Sequence, residues 1–146
     1  MAYEEANYEV VKENKEYEIR KYSDRLGIET NSIEGNGFRK LFNYISGNNE
    51  ENQEIKMTVP VTQEIKNGNM TMQFYLPLKF NKDNAPKPSN SDIEILTIEG
   101  GYYAVIEYSG RSSDKNFLKN KDILENLLKQ DNITILSPPI RASYNS

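Results

Sequence analysis

Apolar and polar residues alternate near the start of the chain, which predicts a β-hairpin with one solvated face. Tyr8 to Val11 and Tyr17 to Tyr22 each interleave aromatic or branched residues with charged ones, and the polar stretch Lys12 to Glu16 separates them. A third strand is expected over Leu26 to Glu34, a segment rich in β-branched residues that stops at Gly35-Asn36-Gly37.

The apolar period then changes to that of a helix. Phe38, Leu41, Phe42 and Ile45 recur at helical spacing, and Gly47 ends the pattern. We expect these four side chains to pack on a sheet. The alternative for the two phenylalanines, which lie near the helix start, is the rim of a ligand pocket.

Two further hairpins are predicted from turn signals between β-rich segments. Ile55 to Ile65 and Met70 to Leu76 flank Asn67-Gly68, which favours a tight turn because glycine tolerates positive φ. Ile93 to Glu99 and Tyr102 to Tyr108 flank a Gly-Gly pair in the same way. The proline-containing segment between the two hairpins predicts a long surface loop within one domain.

A second helix and more extended structure are predicted for the rest of the chain. Ser113 is suited to cap the helix and Asp114 to its positive end. Extended segments follow at Ile133 to Leu136 and Ile140 to Tyr144. The apolar stripe of the helix is expected to comprise Phe117, Leu124, Leu127 and Leu128.

The order strand, helix, strand, strand appears over approximately residues 26–76 and begins again over 102–146, which indicates an internal duplication. The second copy stops after one strand and a fraction, which leaves open whether its last strand is missing. We therefore expect one α+β domain over residues 1–146, in which a duplicated β-α-β-β motif forms an antiparallel curved sheet or distorted barrel with two helices packed on it.

Composition narrows the function further. The chain has no cysteine and no histidine, which excludes thiol chemistry, imidazole metal ligands and a Ser-His-Asp triad. No other catalytic or metal motif is present, and a net charge of -4 disfavours nucleic acid as a partner. No apolar run is long enough to span a membrane, and Met1 to Val10 is acidic and does not resemble a signal peptide, so a cytoplasmic protein is expected. A monomer is expected, or a weak dimer that pairs through an open edge of the sheet.

Three segments resemble the SOUL haem-binding protein family. They are Tyr17 to Tyr22 (YEIRKY), Gly37 to Asn49 (GFRKLFNYISGNN) and Ile55 to Thr62 (IKMTVPVT). Shorter matches follow in the same order, so the resemblance covers nearly the whole chain. These shorter matches are Phe74 to Pro77, Pro86 to Pro88, Tyr108 to Gly110 and Ala142 to Asn145.

The resemblance implies a barrel similar to bacterial effector-binding domains and non-covalent binding of haem or a related porphyrin. It implies an apolar patch beside the first helix and basic residues that receive the propionates, for which Arg39, Lys40 and Arg111 are candidates. It does not imply an enzyme. The expected tetrapyrrole-binding residues are Phe38, Arg39, Lys40, Phe42, Asn43, Met57, Val59, Tyr108 and Arg111.

Two departures from the family favour an alternative, an effector-binding or protein-interaction module that does not bind haem. The chain lacks the histidine proposed as an iron ligand in some relatives, and Asn43 stands where a relative carries a propionate-pairing lysine. Iron ligation would then fall to tyrosine, methionine or lysine, or to no side chain at all.

The sequence allows two interpretations for several side chains. Met57, Met70 and Met72 either fill the core or form an adaptable patch for a flat macrocycle. Glu107 is solvated if the inner face of its strand comprises Tyr102, Ala104, Ile106 and Tyr108. It is a buried carboxylate, suited to a cationic ligand, if that face comprises Tyr103 and Val105.

Overall fold

A computed structural model describes residues 3–31, 35–111 and 113–144. Within these residues the chain forms ten strands and two helices, which confirms the predicted α+β class. In chain order the elements are β1 (Glu4–Glu5), β2 (Tyr8–Glu13), β3 (Glu18–Tyr22), β4 (Arg25–Asn31), α1 (Gly37–Ile45), β5 (Thr58–Val59), β6 (Val61–Lys66), β7 (Asn69–Tyr75), β8 (Glu94–Ile98), β9 (Gly101–Val105), α2 (Asp114–Gln130) and β10 (Arg141–Ser143).

The chain divides into two compact units, of which the first contains residues 1–7, 23–100 and 140–146. Its main sheet has the strand order β10-β6-β7-β4-β8, with antiparallel pairing throughout. In the part of the chain that the structure describes, β10 and β8 are edge strands, so this sheet is open. Of the two expected forms, the structure shows the curved sheet and not the closed barrel.

Strand alternation gives the five-stranded sheet an apolar face and a polar face. Leu26 and Ile28 of β4 and Phe74 of β7 belong to the apolar face, where the core of this unit forms against α1. Leu41 and Ile45 of α1 are buried in that core, as the helical periodicity predicts.

The opposite face of the same sheet carries the residues that alternate with these along each strand. We call it the polar face. Arg25, Gly27 and Glu29 occupy it on β4, and Gln73 and Tyr75 occupy it on β7. These positions are separated from α1 by the thickness of the sheet.

The second unit contains residues 8–22 and 101–139. Its strands have the order β2-β3-β9 and are all antiparallel, so the predicted first hairpin is confirmed. The predicted start of α2 is also confirmed, because the hydroxyl of Ser113 accepts a hydrogen bond of 3.1 Å from the backbone N–H of Asn116. Leu128 is buried on this helix, while Phe117, Leu124 and Leu127 are half-buried.

The structure corrects the hairpin predicted around the Gly-Gly pair. Strand β8 pairs with β4, and β9 pairs with β3, so the two strands belong to different sheets. The Gly100 N–H donates to the side chain of Asp24, which holds the connection between them. Glycines permit a turn here, but they do not determine which strands pair after it.

The other predicted strands are confirmed in part. The Asn67-Gly68 turn joins β6 to β7, with φ values of 51° and 81° that suit a tight hairpin. Ile55 to Met57 and Ile133 to Leu136 lie outside any strand, and Leu136 is 93% exposed. Ser32 to Glu34 and Asn145, which the sequence places in extended segments, lie outside the described residues.

The internal duplication stays a prediction, which can be set beside the observed order of elements. Strand β4, helix α1 and the β6-β7 hairpin follow the predicted motif, whereas β9 and α2 are followed by β10 alone within the described residues. The assignment of residues 1–146 to a single domain stays a prediction.

Candidate functional site

A pair of exposed phenylalanines lies on α1 in the first unit. Phe38 and Phe42 are one helical turn apart, each 46% exposed, and their rings stack with centroids 5.8 Å apart and an interplanar angle of 16°. The ring of Phe38 also meets the buried ring of Phe74 edge to face at 5.4 Å. We call Phe38 and Phe42 the aromatic pair; it is continuous with the core but open to solvent.

The rest of α1 fixes the position of this pair. Tyr44 is fully buried and its hydroxyl donates a hydrogen bond of 2.5 Å to the carbonyl oxygen of Pro86. The side chain of Asn49 donates to the carbonyl oxygens of Tyr44 and Gln53, which holds the loop after the helix. Burial, with a smaller effect of the Glu51 charge, raises the pKa of Tyr44 to about 12, so the tyrosine stays neutral.

Three polar side chains of α1 lie near the aromatic pair in sequence, and the structure distinguishes them. The Nζ of Lys40 donates to Asp92 at 3.1 Å, so this ammonium is already paired with an anion. Arg39 is exposed and makes no ion pair within the described residues, and Asn43 is exposed as well. Among the residues that the structure describes, Arg39 is thus the cation of this helix without an anionic partner.

Met57 and Val59 lie at the short strand β5. Met57 is partly buried and packs against the core of the first unit. Val59 is half-buried, and its carbonyl oxygen accepts a hydrogen bond of 3.1 Å from Ala6. The peptide bond to Pro60 is cis, and β5 ends there, as expected for a residue that cannot donate to a ladder.

The methionines do not form one patch. Met72 is buried in the core and Met57 packs against it, whereas Met70 is exposed at the end of the β6-β7 hairpin. The core-filling interpretation therefore describes Met57 and Met72 better than the macrocycle interpretation does.

Tyr108 and Arg111 belong to the second unit. Both are exposed and follow β9, outside any helix or strand. The carbonyl oxygen of Arg111 accepts a hydrogen bond of 3.0 Å from the side chain of Asn116 at the start of α2. The structure thus holds the backbone of Arg111 and leaves its side chain at the surface.

The second unit also contains a buried arginine that the sequence does not single out. Arg20 is 2% exposed and donates to Glu18 at 2.5 Å, to Glu107 at 2.6 Å and to the hydroxyl of Tyr22 at 3.0 Å, while its guanidinium lies 4.1 Å from the centre of the Tyr8 ring. Burial alone lowers the pKa of Arg20, but these hydrogen bonds outweigh it and raise the pKa above its ordinary value.

These contacts settle the two interpretations of Glu107. Its side chain is 77% exposed, so the expectation of a solvated carboxylate is confirmed. Alternation along the strand does not explain this exposure. Tyr102, which would belong to the inner face, is 67% exposed, and β9 ends at Val105, before Glu107.

A connected set of hydrogen bonds lies on the polar face. One oxygen of Glu29 accepts from the Nζ of Lys66 and from the side-chain amide of Gln73, both at 2.7 Å, and Thr62 donates to Gln73 at 3.2 Å. Burial lowers the pKa of Lys66, but the interactions with Glu29 and Glu64 together outweigh burial, so the pKa is raised. In this network the ammonium of Lys66 pairs with the carboxylate of Glu29.

Two general features bear on function. No group of three or more Asp or Glu side chains that could hold a metal ion occurs among the residues that the structure describes. Across the same residues, neither helix is both long and apolar enough to span a bilayer.

Comparison with known proteins gives the family. A model of the family described as "SOUL heme-binding protein" matches residues 3–146. The chain is 31% identical over 129 residues to "Heme-binding protein 2" of Mus musculus and 32% identical over 130 residues to "Heme-binding protein 2" of Homo sapiens. In both cases the match covers 79% of this chain and 62% of the relative's length.

The family match spans the motifs on β3, on α1 and around β5, and α1 is the helix that carries the aromatic pair. It extends across both compact units. The chain therefore belongs to the SOUL heme-binding protein family.

Proposed function

We propose that this protein is a cytosolic carrier, buffer or sensor that binds haem or a related tetrapyrrole non-covalently at the aromatic pair. The observation that carries the proposal is the pair itself, two stacked and half-exposed phenylalanines on the helix that holds a family motif. A flat macrocycle laid on Phe38 and Phe42 would bury apolar area on both partners, which stabilises the complex by about 25 cal/mol per Å².

Arg39 is the residue of α1 best placed to receive a propionate. A guanidinium pairs with a carboxylate through two parallel hydrogen bonds, and this one is exposed and makes no ion pair within the described part of the chain. Lys40 contributes less, because Asp92 competes for it. Arg111 lies in the second unit, and its assignment to a propionate stays a prediction from the sequence.

Binding of this kind does not depend on iron. The chain has no histidine, Tyr44 is committed to the carbonyl oxygen of Pro86, and Met57 packs against the core, so none of these side chains is offered to a metal. We infer that the macrocycle is recognised and the metal is not, which predicts similar affinity for haemin and iron-free protoporphyrin. This mode needs no catalytic group, and we assign no enzymatic activity.

The experiment is a parallel titration with haemin and with iron-free protoporphyrin, followed by porphyrin absorbance and by quenching of tyrosine fluorescence. Phe42→Ala is expected to weaken binding of both by about fivefold or more, since an aromatic contact contributes about 1 kcal/mol. Ile65→Ala is the matched control, because Ile65 is an exposed apolar residue of the same unit at the distant hairpin end. Equal weakening by both variants would overturn the assignment to the aromatic pair.

A second function is favoured by a specific observation, the near-complete burial of Leu41, Tyr44 and Ile45 between α1 and the sheet. This closed packing, with Lys40 already paired, suits an effector-binding or protein-interaction module that does not bind haem. Absence of saturable binding of either porphyrin by the folded protein would favour this function over the first.

A further inference from the structure

The first unit contains a second buried arginine, and its hydrogen bonding is incomplete. Arg25, the first residue of β4, is 7% exposed. Its Nη2 donates to the carboxylate of Glu4 and, at 3.1 Å, to the carbonyl oxygen of Leu76. Its Nε and Nη1 are buried and have no hydrogen-bond partner in the described structure. Buried donors on a charged group are rarely left unpaired, because the loss of their hydration is costly.

The oxygen of Glu4 that contacts Arg25 lies in a cradle made of two donors. The same Oε2 accepts a hydrogen bond of 2.9 Å from the backbone N–H of Leu78, and the ring of Tyr75 lies 5.9 Å from the guanidinium carbon of Arg25. A side-chain guanidinium and a backbone amide that converge on one carboxylate oxygen are the elements of a carboxylate-binding site.

Glu4 uses this cradle only in part. It contacts only Nη2 of the guanidinium. A guanidinium has two edges that can face a carboxylate, one formed by Nη2 and Nε and the other by Nη2 and Nη1. Here Nε and Nη1 are both unused. A carboxylate free to rotate against either edge would form two parallel hydrogen bonds instead of one. The occupant that the chain supplies is therefore not the best ligand for its own cradle.

The segment that carries Glu4 is held by few contacts. Strand β1 has two residues, paired in parallel with β5, and the buried side chain of Ala6 follows it. The side chain of Glu4 is 39% exposed, so solvent reaches the carboxylate while Arg25 lies beneath it. Exchange of this carboxylate for another does not require the core to open.

We propose that Arg25 and the Leu78 amide form a carboxylate-binding site, which Glu4 occupies in cis and which the carboxylate of a small organic acid occupies in its place. The site lies on the polar face, opposite α1, so it is separate from the aromatic pair and does not rest on tetrapyrrole binding. Glu4 acts as a built-in competitor, because an unpaired buried guanidinium is unfavourable and some anion has to neutralise it.

The test uses Glu4→Ala to empty the cradle and sodium acetate as the probe. The midpoint of urea unfolding is measured against acetate concentration, with sodium chloride at equal ionic strength as the reference. We expect Glu4→Ala to lower the midpoint and acetate to restore it in a saturable way, while the unsubstituted protein responds equally to the two salts. Glu5→Ala is the matched control, since Glu5 is the neighbouring exposed acid on β1 and has no role in the cradle.

A second readout keeps the proposal testable if Glu4→Ala unfolds. The side-chain N–H resonance of Arg25, assigned by its loss in Arg25→Lys, is followed by NMR in Glu4→Gln during the same acetate titration. A saturable shift supports the site. Acetate and chloride acting alike on the Glu4 variants, or acetate acting equally on Glu5→Ala, would overturn it. Phe42→Ala is expected to leave the acetate response unchanged, so a failure of porphyrin binding is distinguishable from a failure of acetate binding.

Discussion

The buried hydroxyl of Tyr44 donates to the carbonyl oxygen of Pro86 at 2.5 Å, which joins α1 to the loop between β7 and β8. This contact connects the buried face of α1 to that loop. Pro86 is itself fully buried, so its carbonyl oxygen has no access to water when the tyrosine hydroxyl is removed.

Tyr44→Phe is therefore expected to destabilise the protein by about 1 to 3 kcal/mol, because it leaves a buried acceptor unpaired without creating a large cavity. Urea unfolding at neutral pH measures the change. A loss below a few tenths of a kcal/mol would show that the carbonyl oxygen finds another donor.

The same residue gives the stability a pH dependence in alkali. Its pKa in the folded protein is about 12 against an ordinary value of 10.0, so the folded state holds the proton more tightly than the unfolded state does. The contribution to stability is fully present below pH 10 and is lost as the pH rises from about 10 to about 12, by about 3 kcal/mol. The stability difference between the unsubstituted protein and Tyr44→Phe should shrink over this window. A constant difference would contradict the prediction.

The position of this helix was predictable from sequence, but its exact rotation was not. Apolar spacing correctly predicts the burial of Leu41 and Ile45, and it includes Phe38 and Phe42 in the same stripe. The buried face is instead centred near Tyr44, whose hydroxyl finds a partner in a distant loop. Such a pairing has no local sequence signal, and Phe38 and Phe42 lie exposed beside this buried face.

Removal of the Asp92 charge tests whether this carboxylate competes with propionates for Lys40. Asp92→Asn removes the carboxylate that pairs with Lys40 at 3.1 Å, while the backbone oxygen of Asp92 still accepts from Thr30. If the tetrapyrrole lies on the aromatic pair, the affinity of the Asp92→Asn variant for protoporphyrin should rise by at most about fivefold, since an exposed ion pair contributes up to about 1 kcal/mol. The measurement is the same fluorescence titration, repeated with the dimethyl ester.

Asp83→Asn is the control for net charge, because Asp83 is an exposed acid of the same loop. The ester lacks free carboxylates, so its affinity should not respond to Asp92→Asn. A gain of affinity for the ester, or an equal gain in Asp83→Asn, would mean that the free Lys40 is not the cause.

The buried arginine of the second unit supports a comparison between its two carboxylate partners. Glu18 is 24% exposed and contacts Arg20 at 2.5 Å, whereas Glu107 is 77% exposed at a similar distance of 2.6 Å. Glu18→Gln is expected to cost about 1.5 to 3 kcal/mol, as for a hydrogen bond to a charged buried group. Glu107→Gln is expected to cost about 1 kcal/mol or less, since water screens that pair.

Urea unfolding of both variants shows which one loses more stability, and equal losses would show that exposure does not set the strength of these pairs.

Sequence alternation places Glu18, Arg20 and Tyr22 on one side of β3, but it gives no reason for an arginine to be buried there. The reason is the register of three strands, which brings Tyr8 and Tyr103 to the two sides of this segment. Register of this kind depends on β9, whose partner the local turn signal did not predict.

Gly27 on the polar face is a position where only glycine fits. A Cβ built there would lie 2.8 Å from the carbonyl oxygen of Phe74 and 2.3 Å from the Cδ1 of Ile98. The side chain of Ile98 can rotate away, but the carbonyl oxygen belongs to the β4-β7 ladder and cannot move without loss of its hydrogen bonds.

Gly27→Ala is therefore expected to destabilise the protein by about 1 to 3 kcal/mol through overpacking. The double variant Gly27→Ala with Ile98→Ala separates the two clashes, because it relieves the side-chain contact and leaves the backbone contact. In a double-mutant cycle of unfolding free energies, the coupling between the two sites should be favourable but smaller than the loss in Gly27→Ala. A coupling that restores the whole loss would place all the strain on Ile98, and the carbonyl oxygen of Phe74 would then have no part in the requirement for glycine.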